Sequence, residues 1–319
     1  MAINRIQFQH GMSLIEFLAL YGEESQCAAA LEHWRWPEGF VCPRCQGRDH
    51  YRVQHEGRSL FQCRSCRHQC SLTAGTLMDS SKLPLRLWFL AIYLISQAKT
   101  GLAALALKRQ LGVSYRTAWL LNHKVMLAMA ERDAQFPLRG QVLLDDAYLG
   151  GERPQLPGQA GRGSPNKQPM IAAVSLNAAG HPVYAKLSPL PGFTAEAVTE
   201  WATKNLRPGS SVLSDGLACF AGVIKAHCAH SYIVVGGRKP AQMPKFHWVN
   251  TVLANLKTAI GGAHKAFKFG KYAHQYLGAF SYRFNRRFDL FALVGKLLRT
   301  AACAAPRTQA QIRSAEVHA

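Results

Sequence analysis

Acidic side chains are scarce in this chain. It carries 18 Asp and Glu against 38 Lys and Arg, a formal charge of +20. That imbalance points to a polyanionic partner, with nucleic acid first. An anionic membrane surface is the alternative, but it requires a basic amphipathic helix, and the basic residues sit instead in loops and a mixed C-terminal region. Long apolar runs are missing too. The longest, Leu87–Ile95, follows Arg86 and is about half the length a spanning helix needs. The N-terminal residues lack a signal-peptide pattern, so a cytoplasmic location and no membrane partner are expected. In that compartment the nine cysteines are metal ligands or free thiols rather than disulfides. With 48% hydrophobic residues the 319-residue chain can bury a real core, which excludes global disorder.

Helical spacing is expected over residues 11–36, with Leu14, Phe17, Leu18, Ala28, Leu31 and Trp34 as core positions. It returns over residues 84–132 and from Pro244 to about residue 300. Between these lie short β-like runs: Gln141–Leu144, Met170–Leu176, Pro182–Leu187, Ser211–Leu213 and Ser231–Val235. A helix is expected over Ala195–Asn205, a mobile loop over Glu152–Lys167, and a frayed tail after Pro306. The first three strands read as a meander, followed by helix, strand, helix, strand and helix. That order is of the α/β class: a mixed sheet flanked by helices.

Two Cys-x-x-Cys knuckles, Cys42–Cys45 and Cys63–Cys66, stand seventeen residues apart. Four thiolates so spaced can surround one structural Zn²⁺, with two short strands between them, as in a zinc ribbon. Buried unpaired cysteines or a redox pair are the plainer readings, and two pairs without a thioredoxin-like helix argue against both. Arg44, Arg48, Arg52, Arg58, Arg64 and Arg67 around the ribbon can meet phosphates, although a ribbon can equally serve protein contacts. Thr100–Trp119 resembles a helix-turn-helix, with Gly112 at the turn and Ser114 as N-cap of the second helix. Tyr115, Arg116, Asn122, His123 and Lys124 would then be able to reach bases or phosphates; an ordinary packing hairpin is the alternative.

Asp145 closes the apolar run Val142–Leu144, and Asp215 closes Val212–Ser214. A charge beside a buried strand is costly unless it serves a ligand. Two-residue alternation puts Asp145 and Leu143 on one face and Asp146 on the other, so only one of the adjacent pair is expected to point into a site. Either motif alone is equally a strand end or an Asp-Gly turn. Gly236–Arg299 holds twelve Lys and Arg and one acid, Asp289, interleaved with aromatics. Its charges read as a nucleic-acid face and its aromatics as core.

In combination these motifs resemble insertion-sequence transposases of the zinc-ribbon DDE type, the ISXO-like family, over roughly residues 12–295. Val142-Leu-Leu-Asp145-Asp-Ala-Tyr148-Leu-Gly-Gly looks like that family's first catalytic motif, Leu213-Ser-Asp215-Gly216 like its second, and His247-Trp-Val-Asn250 with Lys257 and His264 like its third. Tyr276–Arg287 is similar to its C-terminal signature. Asn250 stands where most members have glutamate, and a branch of the family has Asn there. Loss of activity, or a shifted register with His247 or Asn255 as substitute, are the other readings.

The resemblance implies an N-terminal helical segment (1–36), a zinc ribbon (37–78), a helix-turn-helix-like segment (79–135), an RNase H-like catalytic domain (136–300) and a flexible tail (301–319). It implies strand cleavage and transfer with Mg²⁺ or Mn²⁺, Asp145 bridging two ions, Asp215 holding one and Asn250 helping to hold the other. Double-stranded DNA, as element ends and target, is the expected partner of a nucleoid-associated homodimer or higher oligomer. The DNA contacts would come from Arg116, Lys124, Lys167, Arg238, Lys239, Lys245, Lys257, His264, Lys265, Lys268, Arg283, Arg286 and Arg287. The rival functions are a non-catalytic DNA-binding regulator and a nuclease that cleaves without joining.

Overall fold

The computed structural model describes residues 8–55, 58–150, 167–234, 236, 242–264 and 267–314. They form two compact units, one built on Met1–Ala98, Ala104–Ala128 and Asp289–Ser314, the other on Lys99–Ala103 and Met129–Phe288.

The helical stretch expected over residues 11–36 is divided into two helices, α1 (Leu14–Tyr21) and α2 (Glu24–Arg35). Gly22 ends α1 by donating its N–H to Leu18, and Glu23 starts α2 through a capping box with Gln26. Phe17 and Leu31 are buried as expected, but Leu14 and Leu18 are each 49% exposed. A two-turn helix has room for one inward position, and Phe17 takes it, its ring centroid 4.5 Å from that of Tyr93. The ribbon has three antiparallel strands, β1 (His50–His55), β2 (Arg58–Cys63) and β3 (Gln69–Ser71), the last unanticipated because it is only three residues long. Helices α3 (Leu85–Gln97), α4 (Ala104–Leu111) and α5 (Tyr115–Ala134) follow. Gly112 turns between α4 and α5 at φ +65°, and Ser114 Oγ accepts the Thr117 N–H (3.1 Å), as the helix-turn-helix pattern requires.

The second unit holds a five-stranded mixed sheet in the order β6-β5-β4-β7-β8. Strands β4 (Gln141–Leu149), β5 (Gln168–Leu176) and β6 (Pro182–Pro189) form the antiparallel meander; β7 (Ser211–Ser214) and β8 (Ala229–Tyr232) run parallel to β4. Alternation splits the apolar residues between two layers. Val142, Leu144, Ile171 and Ala173 pack on α6 (Ala195–Asn205) and the 3₁₀ segment Ala218–Ala226, which replaces the helix expected between β7 and β8. Leu143, Leu149, Met170, Ala172 and Val174 pack on α7 (His247–Ala263) and α8 (Phe269–Asn285). This is the RNase H-like arrangement.

Helices α9 (Leu290–Cys303) and α10 (Gln309–Ser314) belong to the first unit, where α9 packs on α2 and α3. Ile312 of α10 is buried, so the chain is helical well past Pro306. Most of the loop expected over 152–167, and Val235 at the end of the last expected strand, lie outside the described residues.

Candidate active site and metal centres

Strands β4 and β7 are parallel and in register to Leu144↔Ser214. Asp145 and Asp215 are therefore the next step on neighbouring strands, which lie about 4.8 Å apart. Both continue the face of Leu143 and Leu213, the face covered by α7. Seventy residues of sequence separation are thus closed by one rung of parallel sheet. The Asp215 carboxylate accepts the Leu217 N–H (3.1 Å), and Gly216 turns the chain at φ +90° against the Tyr232 ring. Beside it, Ser214 and His230 share a 2.9 Å hydrogen bond that ties β7 to β8 and that nothing in the sequence signalled.

Asp146 departs from expectation. One oxygen from each of Asp145, Asp146 and Asp215 lies within 4.8 Å of the other two, and all three residues are half-buried. The reason is local. Beyond Leu144 strand β4 keeps β5 as neighbour but has outrun β7, so short side chains from both faces can lean over the vacated edge. Three carboxylates this close repel one another, and a hard divalent cation relieves that repulsion. Oxygens on opposite sides of Mg²⁺ are about 4.2 Å apart, so a grouping within 4.8 Å is compatible with a shared cation.

Asn250 lies in the first turn of α7, between Val249 and Val252, which pack under the same sheet face as Asp145. It is half-buried, and no hydrogen bond commits its amide among the described residues. A carbonyl oxygen can join a cation's shell, but it brings no negative charge and no basic group.

In the ribbon, one sulfur from each of Cys42, Cys45, Cys63 and Cys66 lies within 4.8 Å of the others. Each knuckle closes in the same way, through a residue at positive φ just after its second cysteine: Gln46 (+61°) and Arg67 (+58°). A Cβ on Gly47 would stand 3.3 Å from Cys63 Sγ and 3.4 Å from Cys45 Sγ, so glycine keeps the cage open. The Cys66 N–H, working against burial and helped by Ser65, holds the Cys63 thiol down to about 6. Four convergent sulfurs, one already inclined to ionise, fit Zn²⁺. Trp36, Phe40 and Phe61 complete a small core around them. Arg44, Arg48, Arg64 and Arg67 are exposed, Arg52 pairs with Glu32 (2.6 Å), and the Arg58 side chain lies outside what is described.

The expected DNA contacts divide sharply. Lys245, Lys257 and Lys268 are exposed, and Lys167 and His264 half-buried. Arg116 is exposed in the first turn of α5, where its guanidinium meets Gln309. Lys124 does not fit the surface role. It is only 7% exposed, its ammonium donates to the Leu77 carbonyl and lies over the Trp88 ring, and burial lowers its pKa. Asn122 and His123 are buried as well, because the middle of α5 packs into the core and only its ends, Tyr115 and Arg116 at one and Arg132 and Ala134 at the other, are exposed. Arg286 pairs with Asp133 (2.7 Å), and Arg287 donates to the carbonyls of Val183, Pro182 and Phe284, so both arginines are engaged within the fold. Arg283 and His264 converge on Gly101, whose missing Cβ leaves them room, and burial lowers Arg283 to about 10. Arg238, Lys239 and Lys265 lie outside the described residues. No helix among those described is long and apolar enough to cross a membrane.

Two family models match the chain: a transposase zinc-ribbon domain over residues 22–69 and an ISXO2-like transposase domain over residues 137–285. A protein of Halobacterium salinarum, described as an uncharacterized protein in transposable element ISH50, is 30% identical over 130 residues. The matched segment spans 40% of this chain and 42% of that relative.

Proposed function

Because the chain belongs to the ISXO-like insertion-sequence transposases, with a zinc ribbon ahead of a DDE domain, we propose that it binds the ends of a mobile element and catalyses metal-dependent DNA cleavage and strand transfer. The observation that carries this reading is the side-by-side placement of Asp145 and Asp215 at the end of the β4–β7 ladder.

Asp145, Asp215 and Asn250 would hold Mg²⁺ or Mn²⁺, which activates an attacking oxygen and stabilises a leaving one. The reaction is in-line displacement at phosphorus: water attacks the phosphodiester at the element end and expels a 3′-hydroxyl, and that hydroxyl then attacks a target phosphodiester, forming a new P–O bond as a target 3′-hydroxyl leaves. Asp145 and Asp215 contribute charge and position; no side chain need form a covalent bond to DNA. Lys257 lies two helical turns from Asn250, about 10.5 Å along α7, exposed and placed to meet the DNA backbone. Lys245 and Lys268, and Arg116 at the open end of α5, extend the phosphate contacts. Handling two ends together calls for at least a homodimer on DNA. Zn²⁺ in the ribbon is structural, since all four ligand positions are taken by cysteine.

The test is incubation of the full chain with end-containing duplex DNA and Mg²⁺ or Mn²⁺. Joined products are expected. Nicks without joining would indicate a nuclease, and binding without cleavage the non-catalytic regulator that Asn250 leaves open.

A further inference from the structure

A DDE site contributes three negative charges from three carboxylates, and Asn250 leaves this chain one short. The missing charge has a source 104 residues before Asn250 in the chain but next to Asp145. Asp146 has an oxygen within 4.8 Å of both Asp145 and Asp215, a span compatible with all three touching one cation whose bonds are about 2.1–2.4 Å long. The backbone arrangement supports this convergence. The Asp146 N–H donates to Asp145 Oδ1 (3.0 Å), drawing that carboxylate along the strand toward its neighbour. Parallel pairing with β7 stops at Leu144, and this leaves the edge beside both residues open.

We propose that Asp146 is the third carboxylate of the metal site, supplying from β4 the charge that α7 does not, while Asn250 offers only a neutral oxygen. This rests on the metal-dependent reading above. A carboxylate has two oxygens and about four lone-pair directions, so accepting the Asp146 N–H does not by itself stop Asp145 from sharing a cation with Asp146. With Asp146 included the site offers three negative charges instead of two, enough to hold hard cations without an acid on α7.

The experiment is calorimetric titration of Mn²⁺ into the full, zinc-loaded chain, comparing wild type with Asp145→Asn, Asp146→Asn and Asn250→Ala. Asp145→Asn should lose the binding isotherm. Asp146→Asn should weaken Mn²⁺ binding about tenfold or more, and Asn250→Ala should weaken it less than Asp146→Asn does. Adding Asn250→Asp to Asp146→Asn should recover affinity by returning the charge from the other side. Wild-type affinity in Asp146→Asn, with binding lost in Asp145→Asn, overturns the role of Asp146 and leaves the metal site standing. Wild-type affinity in both overturns the metal-site reading itself. If Asp146→Asn loses its circular dichroism spectrum, Asp146→Ser takes its place with the same expectations.

Discussion

At the scale of single residues, position decides chemistry more than residue type. Asp145 and Asp146 are the same amino acid on opposite faces of β4, and alternation alone would keep one of them out of the site. The sheet's unequal strand lengths bring them together, because β7 ends at Ser214 while β4 continues to Leu149. Nothing in the sequence marks that difference, so Asp146 was not legible there, whereas Asp145 and Asp215 were. Gly47 is a second case. It sits beside a cysteine knuckle that the spacing reveals, but its role, leaving space beside two sulfurs, is visible only in three dimensions. Gly47→Ala places a methyl 3.3 Å from Cys63 Sγ, so a neighbour must shift and the cage opens. The variant should release zinc to a chromogenic chelator faster than wild type; an unchanged release rate would show that the cage tolerates the methyl.

Secondary-structure elements explain why the C-terminal signature is so specific. Its basic residues read as a DNA-facing run, yet several of its polar residues are structural. The Asn285 side chain accepts the Ala185 N–H (2.7 Å) and donates to the Ala185 carbonyl (3.0 Å), adding a side-chain rung to edge strand β6. It also donates to Asp133, the partner of Arg286. Asn285→Ala leaves these groups short of partners and should cost about 1–3 kcal/mol in chemical denaturation; a loss near zero would show that water replaces the amide. The same edge buries Lys186, which donates to Asn205 (3.1 Å). Burial, opposed by Asp133, holds its ammonium down to about 8, against an ordinary lysine value near 10.5. Between those values the unfolded chain binds a proton that the folded chain has released, so this residue's contribution to stability rises with pH. The stability gap between wild type and Lys186→Met should therefore move in favour of wild type from pH 8 to 10.5; parallel curves would contradict the shift. Helix α5 teaches the complementary lesson. Its pattern announced a recognition helix, but tertiary burial takes Asn122, His123 and Lys124 from the surface and leaves Tyr115 and Arg116 of the first turn exposed.

On the scale of the whole molecule, charge and motif order were legible from the start. The excess of Lys and Arg, the paired knuckles and the two acids closing apolar strands come in the order that the matched ribbon and transposase domains share. The grouping of α9 and α10 with the N-terminal unit was not, since helical spacing says what a segment buries and not against which partner. A net charge of +20 makes DNA binding a salt-dependent equilibrium. Lys257→Ala should reduce the slope of log affinity against log salt by about 0.9, the loss of one phosphate contact, and do so for any duplex sequence. An unchanged slope would remove Lys257 from the interface.

The most direct test of the central claim is strand transfer by Asp145→Ala and Asp215→Ala beside wild type, with DNA binding followed in the same samples. Both variants should bind element-end DNA as wild type does and yield no joined product at any concentration of Mg²⁺ or Mn²⁺. Joined product from either variant would contradict the assignment of these two aspartates as the core of the site.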